Sequence, residues 1–130
     1  MNLESPKKEI DKSAQELYDS LTEVKNFEKL MPDTIAKFEV INDTEFVFGL
    51  KGMPEIKLKI KEKVAPSKIV YSAVNDKLPF TLTANINSLG AEKSQIQLLF
   101  QGEFNAMMGM MIKGPIGKFI ETLVGNMNKL

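Results

Sequence analysis

The chain contains neither cysteine nor histidine. The first absence excludes disulfides, thiolate nucleophiles and sulfur-ligated metals. The second removes the commonest general base and the commonest transition-metal ligand, so carboxylates, lysines and tyrosines are the only titratable groups left for chemistry. Those carboxylates are not clustered at any recognisable metal-ligand spacing, and Asp43 and Glu45 read as a hairpin turn. No metal or other cofactor is therefore expected. Excess charge of one sign is missing too: seventeen basic residues balance seventeen acidic ones, which leaves nothing to displace the counterions of a nucleic acid. Gly49-Leu50-Lys51-Gly52 lacks the spacing and the strand-to-helix context of a phosphate-binding loop. Long apolar runs are also absent. The longest is Ala106 to Ile112, too short to span a bilayer, and Met1 to Ile10 has no signal-peptide core, so a cytoplasmic protein is expected.

What is present is ordinary globular material. The 130 residues are 43% hydrophobic and 26% charged, without internal repeat or low-complexity linker, which predicts one domain over 1–130. Ser13 and Glu16 form a capping box, and Leu17, Tyr18, Leu21 and Val24 follow at helical spacing. A second short helix, Val24 to Met31, turns Phe27, Leu30 and Met31 inward, and Pro32 ends it.

From Ile35 the period changes to two. Phe38 and Val40 precede an Asn42-Asp43 turn, Phe46, Phe48 and Leu50 alternate up to a Lys51-Gly52-Met53-Pro54 connection, and Ile56, Leu58 and Ile60 interleave with Lys57, Lys59 and Lys61. Pro66-Ser67 leads to a strand from Ile69 to Val74, and Lys77 to Pro79 turns the chain again. Phe80, Leu82, Ala84 and Ile86 then alternate with Thr81, Thr83, Asn85 and Asn87, and after Gly90 Ile96, Leu98 and Phe100 oppose glutamines. These six strands make an antiparallel meander with one dry face. Leu3 to Ile10 adds a seventh, on an edge because Pro6 interrupts its ladder.

The last segment, Asn105 to Leu130, is helical, with Ile112, Ile116, Phe119, Ile120, Leu123, Val124, Met127 and Leu130 on one stripe and a length of about 39 Å if unbroken. Gly114-Pro115 predicts a kink or break, with Pro115 opening the second half. The sheet must curl around this helix to cover its own dry face. The fold class is thus α+β: a curved antiparallel sheet of about seven strands wrapped around a long C-terminal helix, with two short helices after the first strand.

The element order, together with Ser13 to Leu21, Val24, Asn26-Phe27 and Leu30-Met31-Pro32, resembles the helix-grip fold of the START-like superfamily, which includes Bet v 1-type allergens and the polyketide cyclase and coenzyme Q-binding groups. The topology covers the whole chain and the motif about a sixth of it. The resemblance implies a cavity between sheet and helix that holds an apolar or amphipathic small molecule. It implies no reaction, and no catalytic set of any member matches here.

On that basis the cavity lining is expected from Phe38, Phe48, Ile60, Val70, Phe80, Leu82, Phe100, Met108, Met111 and Phe119. The leading expectation is a non-catalytic module that encloses a small apolar or lipid-like ligand, as a monomer or weak homodimer. A cyclase- or aromatase-like enzyme and an interaction protein with a filled interior are the alternatives. The cluster Met107, Met108, Met110 and Met111 reads first as core filling, with a ligand gate and a self-association or membrane-surface patch as the other readings. The lysine row, continued by Lys63, reads as a solvated outer face ahead of an attraction for an anionic lipid surface, and Glu103 as an exposed residue before the last helix ahead of a buried general acid. Tyr71, Ser72, Asn85 and Asn87 are the polar groups that would orient a ligand if a strand's register turns them inward, though alternation points the two asparagines outward.

Overall fold

Ser13 Oγ accepts a hydrogen bond from Glu16 N at 3.1 Å and starts helix α1, Ala14–Thr22. This helix belongs to a computed structural model of the protein that describes residues 1–33, 35–51, 55–73 and 79–130. The predicted connection through 52–54 and the turn and strand end within 74–78 lie outside the described residues. After α1 a 3₁₀ helix, Val24–Leu30, buries Val24, Phe27 and Leu30.

Among the described residues eight strands form one antiparallel sheet: β1 (Asn2–Glu4), β2 (Lys8–Ile10), β3 (Ile35–Val40), β4 (Glu45–Leu50), β5 (Ile56–Val64), β6 (Lys68–Ala73), β7 (Phe80–Gly90) and β8 (Lys93–Gly102). Their order is β1-β8-β7-β6-β5-β4-β3, and β2 also pairs with β8. The predicted seventh strand is therefore present in two halves on one edge. Between them Ser5 still bonds to β8, since Ser5 N donates to the Leu98 carbonyl and Leu98 N donates to the Ser5 side-chain Oγ, each at 2.9 Å. Pro6, which has no N–H to give, falls in the gap.

Alternation decides which face is dry. Phe46, Phe48, Ile56, Leu58, Ile69, Tyr71, Leu82, Ala84, Ile86, Ile96, Leu98 and Phe100 all belong to one continuous core with α1, the 3₁₀ helix and the last helix. Phe27 stacks on Phe46 at 4.8 Å and meets Tyr71 edge-on at 5.0 Å, arrangements that suit the ring quadrupole. In β5 a bulge between Ile60 and Glu62 shifts the register, so that Ile60 faces Tyr71 while Lys63 faces Ile69. Lys63 thus leaves the lysine row that Lys57 and Lys59 form on the outer face, where both pair with Glu45 at 3.2 and 3.9 Å. One extra residue moves every later side chain to the opposite face.

Helix α2, Ala106–Gly125, is capped by Asn105, whose Oδ1 accepts from Met108 N at 2.8 Å. Of the predicted kink or break, the break does not occur. The helix runs through Pro115, and the carbonyl deprived of a donor belongs to Met111, an outward-facing residue that solvent can serve. From Ile112 onward the inner stripe is buried as predicted, through Leu123, Val124 and Met127. Asn126 Nδ2 donates to the Leu30 carbonyl at 3.0 Å and Lys8 Nζ to the Gly125 carbonyl at 2.8 Å, which fixes the C-terminal end of α2 against the rest of the fold. No helix among the described residues is long and apolar enough to cross a membrane.

Candidate ligand-binding core

The inner stripe of α2 lies across the concave face of the sheet, and eight apolar side chains meet there. Phe48, Leu58, Phe80, Leu82 and Phe100 come from the strands and Ile116, Phe119 and Ile120 from α2, around a void of about 10 Å³. That volume is at or below the roughly 10–15 Å³ needed to hold one water. Rings account for most of the filling: Phe48 and Phe119 stack at 4.9 Å with 13° between planes, and Phe80 and Phe100 lie 4.7 Å apart. Gly102 allows a third ring to approach, because a Cβ there would stand 2.7 Å from the Phe104 ring.

Five of the ten expected lining residues, Phe48, Phe80, Leu82, Phe100 and Phe119, come together at this void. The others do not. Phe38 is half-buried near the β3 edge, with its ring 5.5 Å from Phe46. Ile60 lines a separate outer cleft of about 380 Å³ together with Val24, Val40 and Lys63. Val70 is buried, yet it pairs with Thr83 on the face of the sheet opposite Ile69 and Tyr71 and stands outside the core. Met108 packs half-buried against the core, whereas Met111 is 66% exposed. Leu58, Ile116 and Ile120 line the void without having been expected to; the signal was present, since Leu58 alternates with lysines and Ile116, Phe119 and Ile120 share a helical stripe.

A second space adjoins the first. Pro32, Leu50, Lys51, Pro115, Lys118, Phe119 and Thr122 line an outer cleft of about 210 Å³. Phe119 borders both spaces and is the residue their linings share.

The polar candidates do not converge on the void. Tyr71 is fully buried and its hydroxyl donates to the Leu21 carbonyl at 2.7 Å. Burial, with a smaller contribution from Tyr18, pushes its pKa far above the usual phenol value and keeps it neutral. Ser72 and Asn85 are half-buried, while Asn87 and Glu103 are exposed. Ser94 is wholly buried beside Ile10 and Ser88, its hydroxyl without a partner among the described residues, but it is not part of the void's lining.

No protein-family model matches the chain, and no curated protein matches it at a significant level. Solved structures do. A norcoclaurine synthase point mutant from Thalictrum flavum, bound to a transition-state analogue, superposes with a TM-score of 0.75 at 13% identity, over 99% of this chain and 92% of that one. A START superfamily protein from Mycobacterium smegmatis gives 0.74 at 14% identity, over 98% and 94%. A conserved protein from Geobacillus kaustophilus gives 0.68 at 12%, over 99% and 93%. The fold is START/Bet v 1-like. At such identities the likeness extends to the helix-grip architecture and no further, so the chemistry of this START-like chain must be read from its own interior.

Proposed function

We propose that the protein is a non-catalytic, cytoplasmic binding module that encloses one small apolar or lipid-like molecule between the sheet and α2. One observation carries this reading: the void is lined wholly by apolar side chains, and Phe119 lines both it and a ready-made outer cleft. Such a lining offers area to a hydrocarbon and no general acid, base or nucleophile to a substrate. The void as it stands is closed, so uptake requires Phe119 and the first half of α2 to move. That half is suited to moving. It contains Gly109, Gly114 and Pro115, which weaken local helix stability by about 1 kcal/mol per glycine relative to alanine, and its burial begins only at Ile112. Openings there should require less free energy than global unfolding.

Native mass spectrometry with N-phenyl-1-naphthylamine or oleate tests the proposal, in parallel with hydrogen exchange. A one-to-one adduct is expected, and in the free protein amides from Met107 to Lys113 should exchange faster than those from Phe119 to Val124. Added probe should slow the first set selectively. Absence of any adduct, with equal protection of both halves, would replace this reading with a START-like interaction protein whose interior is permanently filled.

A further inference from the structure

From Ala106 to Ile112 α2 is apolar all round, although this chain covers only one side of it. Met107, Met110 and Met111 are 74%, 83% and 66% exposed. At about 100° per residue they share a face with Gly114 and Lys118, opposite the buried stripe of Ile112, Ile116 and Ile120. A helix that is apolar on every side normally has a cover on every side, and large exposed apolar side chains grouped together mark an interaction surface. Charge identifies the kind of cover. Between Glu103 and Glu121 the chain carries no carboxylate, while Lys113 and Lys118 are both exposed and neither makes an ion pair among the described residues.

We propose that this methionine face docks on the surface of an anionic lipid bilayer. The thioethers would enter the interfacial region while the two ammonium groups meet lipid phosphates or carboxylates. Glu4 and Glu121 line the same shallow groove as Met110, Lys113 and Lys118 and balance those two charges there, so the cationic side of the patch is the cleft flank, where Lys51 and Lys118 stand without a carboxylate. A second copy of the chain fits less well, because it would bring a second Lys51–Lys118 flank to the contact without adding a carboxylate to that cleft. The placement also bears on exchange of the bound molecule. Met111, Pro115, Lys118 and Thr122 lie along one flank of α2 at helical spacing, and the last three line the cleft outside Phe119. Docking would therefore turn that cleft toward the bilayer. The purpose of docking rests on the binding-module reading above; the docking itself is measured separately.

The test is co-sedimentation with vesicles of phosphatidylcholine containing about 30% phosphatidylserine, against vesicles of phosphatidylcholine alone. Binding is expected to the first, to weaken with salt, and to fall about fivefold for each of Lys113→Ala and Lys118→Ala. The triple variant M107S/M110S/M111S should lose binding while keeping its melting temperature, since the three side chains are mostly exposed. No binding to anionic vesicles overturns the proposal, as does equal binding to both vesicle types. A methionine-dependent rise in mass by light scattering, without vesicle binding, overturns it in favour of self-association. If the triple variant still takes up N-phenyl-1-naphthylamine, the binding-module reading stands independently of the docking result.

Discussion

Truncating Phe119 to alanine is the perturbation that probes the interior most directly, because that side chain is structural wall and proposed door at once. Its ring is 6% exposed and stacks on Phe48 at 4.9 Å. Removing a buried Phe costs about 3–5 kcal/mol, depending on how far the surroundings collapse into the space. Collapse is restricted here: the vacated space joins the existing void on one side and the outer cleft on the other, and its walls are strands and a helix anchored elsewhere. At least the middle of the range is expected, about 4 kcal/mol. For a domain of this size that corresponds to a fall in melting temperature of roughly 15 °C. Such a loss is survivable for a domain of ordinary stability, about 5–15 kcal/mol, so the variant should remain folded at room temperature and open to assay.

Two readouts separate the roles. Urea titration followed by circular dichroism should show the midpoint falling at unchanged slope, which places the loss in native packing. Stopped-flow mixing with N-phenyl-1-naphthylamine should show faster association in Phe119→Ala, with Phe119→Leu intermediate in both stability and rate. A stability loss below about 1 kcal/mol would show that α2 does not pack on the sheet as described. An unchanged association rate, despite the full stability loss, would show that the ring is a wall and that ligand enters elsewhere.

Two further outcomes follow from the same structure. Tyr71→Phe should cost about 1–3 kcal/mol, since it orphans the buried Leu21 carbonyl. Its native pKa lies above the unfolded value, so the stability that Tyr71 contributes is fully present below about pH 10 and declines above it by up to ~1.4 kcal/mol per pH unit; the wild-type minus Tyr71→Phe difference in urea midpoint, measured from pH 8 to pH 11.5, should shrink accordingly, and a flat difference would contradict the burial. EDTA should leave the melting temperature unchanged, because no group of three potential ligand side chains comes together among the described residues; destabilisation on chelation would reveal a calcium or magnesium site.

The architecture was legible because its signals are periodic and cooperative. Alternation in β4, β7 and β8 has only one solution that buries Phe46, Phe48, Leu82, Ile86, Leu98 and Phe100 together, and that solution is the observed face. The site was legible only where the same parity held. Val70 sits in the run Ile69-Val70-Tyr71, where three apolar residues in succession give no parity, and the Tyr71 hydroxyl bond to α1 settles it only in three dimensions. Lys63 was misplaced by a bulge that no turn residue announces. The methionines were read first as core because thioethers fill cores. Their exposure follows from the axial placement of α2, whose first turns extend beyond the buried stripe that begins at Ile112, and no local pattern encodes that placement.

A closed interior also constrains what the module could hold. Whatever opens it must exchange protein contacts for ligand contacts, and the opening free energy subtracts from the intrinsic affinity. If opening costs about 3 kcal/mol, the low end of the Phe119 estimate, roughly four buried methylenes at ~0.8 kcal/mol each only restore the balance. Small apolar solutes should therefore bind poorly, and affinity should grow with chain length beyond that point until the cleft outside Phe119 is filled. If ligand enters past Phe119, an acyl chain would suit this interior, since its polar end would stay near Lys51 and Lys118, which line the cleft of about 210 Å³. Both lysines are exposed, so the polar end can stay hydrated and no buried charge need be compensated.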